Sequence, residues 1–237
     1  MATTTGTALY TPTMNELFEE AFERCGCEMR TGYDFKTARR SLNLLTMEWA
    51  SRGINLWTLE QGTLPLVQGT ATYDLPADTV DLVDHVLRTG TGSTQSDISL
   101  NRISVDTYAS IPNKNVQDRP LQLWINRRSG VANPTIGVQY PQLTLWPVPD
   151  QNSYYTLVYW RLRRIQDAGT GANVEDVPFR FVPALVAGLA YHLSFKVPGG
   201  MDRMLALKQV YDEQWGMAQD EDREKAPLRI VPRMTLR

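Results

Sequence analysis

Cysteine and histidine, the side chains that dominate zinc sites, are scarce in this sequence. It contains two cysteines, Cys25 and Cys27, and two histidines, His85 and His192, which lie far apart along the chain. A structural zinc site takes about four such ligands. Cys25 and Cys27 are two positions apart on a predicted helix, so their side chains point in different directions and cannot bridge each other. We therefore expect no disulfide, no metal and no cofactor.

Excess charge of either sign and long apolar runs are also lacking. The chain carries 24 Lys and Arg against 26 Asp and Glu, a net charge of −2, whereas a nucleic-acid-binding surface usually needs a basic face. The longest apolar run, around residues 182–193, is shorter than the roughly 18 residues of a membrane span. The first residues lack the charged and apolar regions of a signal peptide. We expect no membrane association and a chain made and kept in a cytoplasm.

Catalytic signatures are missing as well. The sequence has no phosphate-binding Gly-x-x-x-x-Gly-Lys loop, no Gly-x-Ser-x-Gly elbow and no His-Glu-x-x-His pair. The densest group of candidate metal ligands is Asp78, Asp81, Asp84 and His85. Because this group falls on a predicted turn and strand, we interpret it as a solvated face. The sequence therefore predicts a protein that is not an enzyme.

Two helices are predicted at the start of the chain. Thr13 and Glu16 have the spacing of a capping box, so a helix is expected from there to about residue 28. Asp34 is predicted to cap a second helix over residues 35–51, which Gly53 ends. The apolar stripe of this second helix consists of Ala38, Leu42, Leu45 and Trp49.

The hydrophobic pattern then changes to alternation, which is typical of strands. Turn-forming residues separate the apolar stretches, and a short helix capped by Ser104 is expected over residues 104–111. Strands are predicted at residues 54–59, 64–67, 71–75, 82–88, 98–103, 121–127, 135–140, 143–147 and 154–164.

Residues 175–224 predict a pair of helices around which the rest of the chain is organised. The first is apolar on nearly every face, and Glu175 and Asp176 are expected to cap it. Pro198, Gly199 and Gly200 form the break. The second helix is amphipathic. We expect its Leu207, Tyr211 and Trp215 to face the core.

This order of elements predicts an α+β fold. Two helices before and two after a block of strands suggest a four-helix bundle with an inserted antiparallel β domain and an extended C-terminal arm. The predicted bundle comprises residues 1–53 and 174–224, the β domain residues 54–173, and the arm residues 225–237.

The predicted arm differs sharply from the segment before it. Residues 225–237 hold four basic side chains and no acid, a net charge of +4, whereas residues 212–224 hold six acids and one Arg, a net charge of −5. Apolar and polar side chains alternate along the arm. One interpretation is an edge strand or frayed end; the other is an arm that docks on a partner subunit. The candidate docking residues are Leu228, Arg229, Ile230, Val231, Arg233, Met234, Leu236 and Arg237.

Several stretches in this order resemble the head-to-tail adaptor proteins of short-tailed bacteriophages, also described as tail accessory, tail tubular A-type or packaged-DNA stabilisation proteins. The resemblance covers most of the chain and includes the segment LTLWPVPD at residues 143–150. Its two most telling patterns consist of Leu66, Gly69, Tyr73, Leu75 and Pro76, and of Pro178, Phe181, Ala184, Leu185, Gly188, Leu189 and Ala190.

The resemblance implies a structural protein of the virion tail or neck, assembled in the host cytoplasm. Such adaptors form a ring, usually of twelve copies, between the portal and the tail nozzle, and help to retain packaged DNA. DNA would pass through the lumen without sequence-specific binding. The C-terminal extension of the family reaches the portal, which would make the portal the partner of the predicted arm.

Two alternatives stay open. The first is a tail-associated enzyme that degrades cell walls, with Glu48 or Glu60 and Asp74 as an acid/base pair. The second is a head-completion or neck protein of a long-tailed phage.

Overall fold

In a computed structural model the chain forms two compact units. The structure describes residues 6, 10–53, 56–128, 130–133 (backbone alone at 132 and 133) and 137–223. Of these, the residues up to Leu56 and from Gln166 onward form a helical unit, and Trp57–Ile165 form a β unit. The fold is α+β, and no helix in the described ranges is long and apolar enough to cross a membrane.

The helical unit begins with α1 (Met14–Cys25) and α2 (Gly32–Arg52). Thr13 and Glu16 form the predicted capping box, and Gly26 ends α1 in the left-handed conformation. The cap predicted at Asp34 was wrong. Thr31 caps α2, and Asp34 accepts hydrogen bonds from the backbone and side chain of Thr31. The chain thus forms a second capping box one turn earlier than predicted.

Helices α4 (Val182–Ser194) and α5 (Met204–Glu221) complete this unit. A 3₁₀ turn (Phe179–Phe181) leads into α4, and a second one (Gly200–Arg203) precedes α5. Helix α4 contacts α1, α2 and α5. Because α4 is apolar on most faces, it is stable in water only when other helices cover it. Its buried residues are Ala184, Leu185, Val186, Ala187, Gly188, Leu189, Ala190, Leu193 and Ser194.

Aromatic side chains from α2, α5 and the 3₁₀ turn meet at the centre of this core. The indole nitrogen of Trp49 donates a 2.8 Å hydrogen bond to the hydroxyl of Tyr211. The rings of Trp49, Phe181 and Trp215 pack with centroids 4.8–5.7 Å apart. These rings can be buried favourably because the indole N–H of Trp49 and the hydroxyl of Tyr211 form a hydrogen bond with each other.

The strands of the β unit are β1 (Leu59–Pro65), β2 (Thr72–Asp74), β3 (Thr79–Thr89), β4 (Ser96–Ser99), β5 (Asn101–Arg102), β6 (Gln122–Asn126), β7 (Ala132–Asn133), β8 (Gly137–Val138), β9 (Gln142–Trp146) and β10 (Tyr155–Arg163). The first sheet has the order β1-β10-β3-β4 and the second the order β2-β9-β6-β5, and these two sheets share one hydrophobic core. Strands β7 and β8 form a separate two-stranded sheet. Helix α3 (Val105–Ser110), capped by Ser104 as predicted, connects β5 to β6.

Three details of the predicted strands were wrong. Strand β5 pairs with β6 in parallel, because the chain turns back through α3 before it enters β6. Leu56–Thr58 form a 3₁₀ turn, and β1 begins at Leu59. The strand predicted at residues 64–67 is not separate, because Leu64 and Pro65 are the last residues of β1, which belongs to a different sheet from β2.

An ion cluster centred on the buried side chain of Arg161 crosses the first sheet. The guanidinium of Arg161, whose side chain is 9% exposed, binds the carboxylates of Glu60 and Asp78 and the hydroxyl of Thr79. Partial burial acts to raise the pKa of Asp78, but the hydrogen bond and the charge of Arg161 together outweigh it and lower the pKa of this carboxyl. The cluster joins β1, β10 and the start of β3, so it stabilises the pairing of three strands.

Two helix glycines offer a direct test of packing around α4. A methyl group on Gly188 would lie 2.8 Å from the ring of Tyr211 and 2.9 Å from Leu45, whereas one on Gly216 in α5 meets nothing within 4 Å. We expect Gly188→Ala to lower the free energy of unfolding by about 1–2 kcal/mol, because overpacking outweighs the helix propensity of Ala. Gly216→Ala should raise it by about 0.5–1 kcal/mol. Urea denaturation measures both, and equal effects would contradict the packing described for Gly188.

Candidate functional site

The predicted docking residues lie outside the described part of the chain. This applies to Leu228, Arg229, Ile230, Val231, Arg233, Met234, Leu236 and Arg237. The structure does describe the residues from which this arm departs, namely the end of α5 and the two residues after it, Asp222 and Arg223. The candidate site is therefore built from the base of the arm.

Asp222 anchors this base. Its side chain is 5% exposed. One carboxylate oxygen accepts hydrogen bonds from the guanidinium of Arg180, and the other accepts the backbone N–H of Leu56 at 3.0 Å. We call this arrangement the Asp222 clamp. It ties the end of α5 to the 3₁₀ turn before α4 and to the segment that follows α2.

The local sequence explains the geometry of the clamp. Asp222 follows the last residue of α5, and its N–H bonds to the carbonyl of Ala218, so its side chain is fixed by the final helical turn. Arg180 lies next to Phe181, whose ring is in the aromatic core. A buried carboxylate is tolerated when charge-assisted hydrogen bonds satisfy its oxygens. The clamp therefore fixes where the chain leaves α5. The sequence shows Asp222 only as one of the six acids in residues 212–224, and no pattern in it indicates that this side chain is buried.

A second polar network lies on the side of the helical core. Glu48 forms an ion pair with Arg52, and the guanidinium of Arg52 lies 5.1 Å from the ring centroids of both Tyr211 and Trp215. His192 Nε2 is 3.3 Å from a carboxylate oxygen of Glu48. Burial lowers the pKa of His192 even though the Glu48 carboxylate opposes this shift. The network covers the edge of the aromatic core.

The carboxylates considered for catalysis have cationic or amide partners. Glu48 pairs with Arg52, Glu60 with Arg161, and Asp74 accepts a 2.7 Å hydrogen bond from the side-chain amide of Gln142. Glu48 belongs to the helical unit, whereas Glu60 and Asp74 belong to the β unit.

Acidic residues at and just before the start of β3 also bind different partners. Asp78 binds Arg161, while Asp81 forms ion pairs with Arg102 and Arg127. In the described ranges no group of three or more His, Cys, Asp and Glu side chains is arranged to hold a metal ion.

Glu175 behaves differently from its predicted role as a helix cap. The 3₁₀ turn before α4 follows Pro178 and has no side-chain cap, and α4 begins at Val182. One carboxyl oxygen of Glu175 is buried without a hydrogen-bond partner in the described residues. Burial, with a smaller contribution from the charges of Asp176 and Asp167, raises the pKa of Glu175 to about 7.

The family described as SU10 adaptor protein matches residues 13–231. The chain belongs to the SU10 adaptor protein family. This is a family of phage head-to-tail adaptors, so the resemblance found in the sequence is confirmed. No curated protein matches the chain. The match spans both units and extends past Asp222 into the predicted arm, so the SU10 adaptor pattern includes the base of the arm as well as the fold.

The clamp of this SU10 adaptor can be tested by removing its carboxylate. Asp222→Ala leaves Arg180 and the N–H of Leu56 without their acceptor, so we expect the free energy of unfolding to fall by about 2–4 kcal/mol. The matched control is Asp220→Ala two residues earlier, which removes an exposed ion pair with Arg223 and should cost less than about 1 kcal/mol. Equal losses in urea denaturation would contradict the clamp.

Glu175 makes the stability of the chain depend on pH. Because its pKa in the folded chain, about 7, is above the unfolded value near 4.3, the folded state favours the protonated acid. Its stabilising contribution is complete below about pH 4 and is lost as the pH rises to about 7.

We therefore expect Glu175→Gln to raise the free energy of unfolding by about 1–3 kcal/mol at pH 8 and to change it little at pH 4. Urea denaturation at the two pH values measures this difference. Glu213→Gln, on an exposed face of α5, is the control and should change stability little at either pH. If Glu175→Gln raises the free energy of unfolding equally at both pH values, burial of the ionised carboxylate is not the cause of the gain.

Proposed function

We propose that this protein is a structural head-to-tail adaptor that joins the portal of a phage capsid to the tail nozzle. The observation that carries the proposal is the family match over residues 13–231, which includes both units and the first part of the arm. In this proposal the chain assembles into a ring, usually of twelve copies, in the tail or neck of the virion, and helps to retain packaged DNA.

The proposed portal-binding element is the arm of residues 225–237. The Asp222 clamp supports this assignment, because a docking segment whose starting point is fixed loses less conformational freedom when it binds. The arm has a net charge of +4 and an alternating apolar row. Pro227 and Pro232 disfavour a central strand position in its own domain. An extended amphipathic segment of this kind is suited to adding to, or wedging into, a partner's surface.

The helical residues 1–53 and 174–224 are proposed to act as a four-helix bundle, with the β domain of residues 54–173 inserted in it. Contacts of α4 with α1, α2 and α5 support this arrangement. We propose that DNA crosses the ring without sequence-specific binding, in keeping with the net charge of −2. The proposed role is non-enzymatic, since Glu48 and Glu60 form ion pairs with arginines and Asp74 is hydrogen-bonded to Gln142.

Deleting residues 225–237 tests the proposal most directly. The shortened chain should stay folded and soluble, because the deletion begins beyond the clamp at Asp222. It should no longer bind purified portal protein in size-exclusion chromatography with light scattering. A shortened chain that binds the portal as tightly as the full chain would remove the arm from the interface.

Point variants separate the two rows of the arm. Ile230→Asp with Met234→Asp places two charges on the apolar row and should abolish portal binding. Val231→Asp with Thr235→Asp makes the same change in charge on the other row and should weaken binding far less. Equal losses for the two pairs would mean that the arm acts through its positive charge alone.

A further inference from the structure

Helix α2 presents an exposed face that combines apolar and cationic side chains. Tyr33, Lys36, Arg40, Leu44 and Met47 follow one another at spacings of three or four residues, so they lie along one side of the helix. Tyr33 is 72% exposed, Leu44 53% and Met47 59%. The opposite side of α2 is buried in the core. We call these five residues the α2 face.

The cations of the α2 face have no acidic partner in the described part of the chain. Neither Lys36 nor Arg40 forms an ion pair there, and the adjacent exposed Arg39 forms none either. A helix face that combines exposed apolar side chains with unpaired charges of one sign is suited to contact with a surface of complementary charge.

Helix α5 carries a face with the opposite charge. Ala206, Val210, Glu213, Met217 and Asp220 recur at spacings of four and three residues and point away from the buried Leu207, Tyr211 and Trp215. All five are exposed, Met217 to 62% and Val210 to 40%. The acids have only local partners in the described structure, Gln209 for Glu213 and Arg223 for Asp220. We call these five residues the α5 face.

We propose that the α2 face of one copy packs against the α5 face of a neighbouring copy, and that this contact joins the protomers of the ring. The inference rests on the proposed function, because it assigns the surfaces through which adaptor copies meet.

The order of residues along each helix fixes the direction of the contact. In α2 the cations Lys36 and Arg40 precede the apolar pair Leu44 and Met47, whereas in α5 the apolar Ala206 and Val210 come before the acids. In both helices the charged and apolar pairs are centred about eight residues apart, ~12 Å along the axis. Antiparallel packing therefore places cations on acids and apolar side chains on apolar side chains.

Alternative occupants of the α2 face fit less well. Two α2 faces packed in parallel would bring Lys36 and Arg40 of one copy onto the same cations of the other, and antiparallel packing would place these cations on Leu44 and Met47 without an acid. DNA phosphates would neutralise the cations but would leave Leu44 and Met47 uncovered. A contact between two different faces of one chain is heterologous, and heterologous contacts produce rings when the rotation closes.

A charge-swap series tests the contact with the full chain. Lys36→Glu with Arg40→Glu reverses the α2 face, Glu213→Lys with Asp220→Lys reverses the α5 face, and the four substitutions together restore complementarity. Lys208→Glu with Arg128→Glu is the control, because both residues are exposed, lie outside the two faces and form no ion pair in the described structure. This control changes the net charge as much as the α2 reversal does.

Native mass spectrometry of purified portal mixed with limiting adaptor gives the readout. We expect wild-type and control chains to leave each portal either empty or fully loaded, because neighbouring copies stabilise one another. Each single-face reversal should produce partly loaded portals. The adaptor concentration needed to fill every portal should rise on the order of 100-fold. Full loading should return for the chain with all four substitutions. It should also return for a mixture of the two chains that each carry one reversed face.

Several results would overturn the contact. One is that chains with a reversed face load the portal as the control does. Another is that the chain with all four substitutions does not recover the full loading lost in the single-face reversals. Binding of wild-type chain to a duplex DNA fragment that is lost on α2 reversal and not regained in the four-fold variant would assign the face to DNA.

Failure of the adaptor function gives a different result. A wild-type chain that does not bind portal contradicts the proposed function, and the contact is then judged from sedimentation velocity of the chain alone. Concentration-dependent association that follows the charge-swap series would support the contact. A chain that stays monomeric at every concentration would overturn it.

Discussion

The burial of α4 is the constraint on which the helical unit depends. A helix that is apolar on almost every side must be enclosed by other helices. Its partners α1 and α2 come before the β unit in sequence, while α5 comes after it. The chain must therefore return to where it started, and the N–H groups of Met14 and Asn15 donate hydrogen bonds to the carbonyls of Asn173 and Gly171, which hold the returning segment against the beginning of α1.

The same constraint explains why the helices were well predicted. The period of the apolar residues in α2 is set by one buried side, whereas α4 is apolar on most of its faces, and both patterns are visible in a single helix. The capping box of Thr13 was predictable because both of its members lie within one turn. Thr31 was missed because Asp34 is itself a good capping residue, and sequence does not show whether a residue at this spacing serves as the cap or as its partner.

Strand pairing and the anchored base of the arm depend on contacts between distant residues. Alternation located most strands, but the assignment of β1 and β2 to different sheets follows from pairing with β10 and β9, far along the chain. In the same way, Asp222 is set apart from the acids around it by Leu56 and Arg180, which are 166 and 42 positions away. No local pattern carries such information, so the anchor at Asp222 could not be predicted, and the arm itself stays a prediction from the alternation of its residues.

Helix α5 connects the three interactions that the proposed assembly needs. Its buried side places Tyr211 and Trp215 in the core, its end is fixed by the Asp222 clamp, and its exposed side carries the acids proposed to meet the next copy. Because all three belong to one helix, a neighbour that contacts α5 also constrains the direction in which the arm leaves. Binding of one arm to the portal would then orient the α5 face for the next copy, so arm binding and ring closure would favour each other.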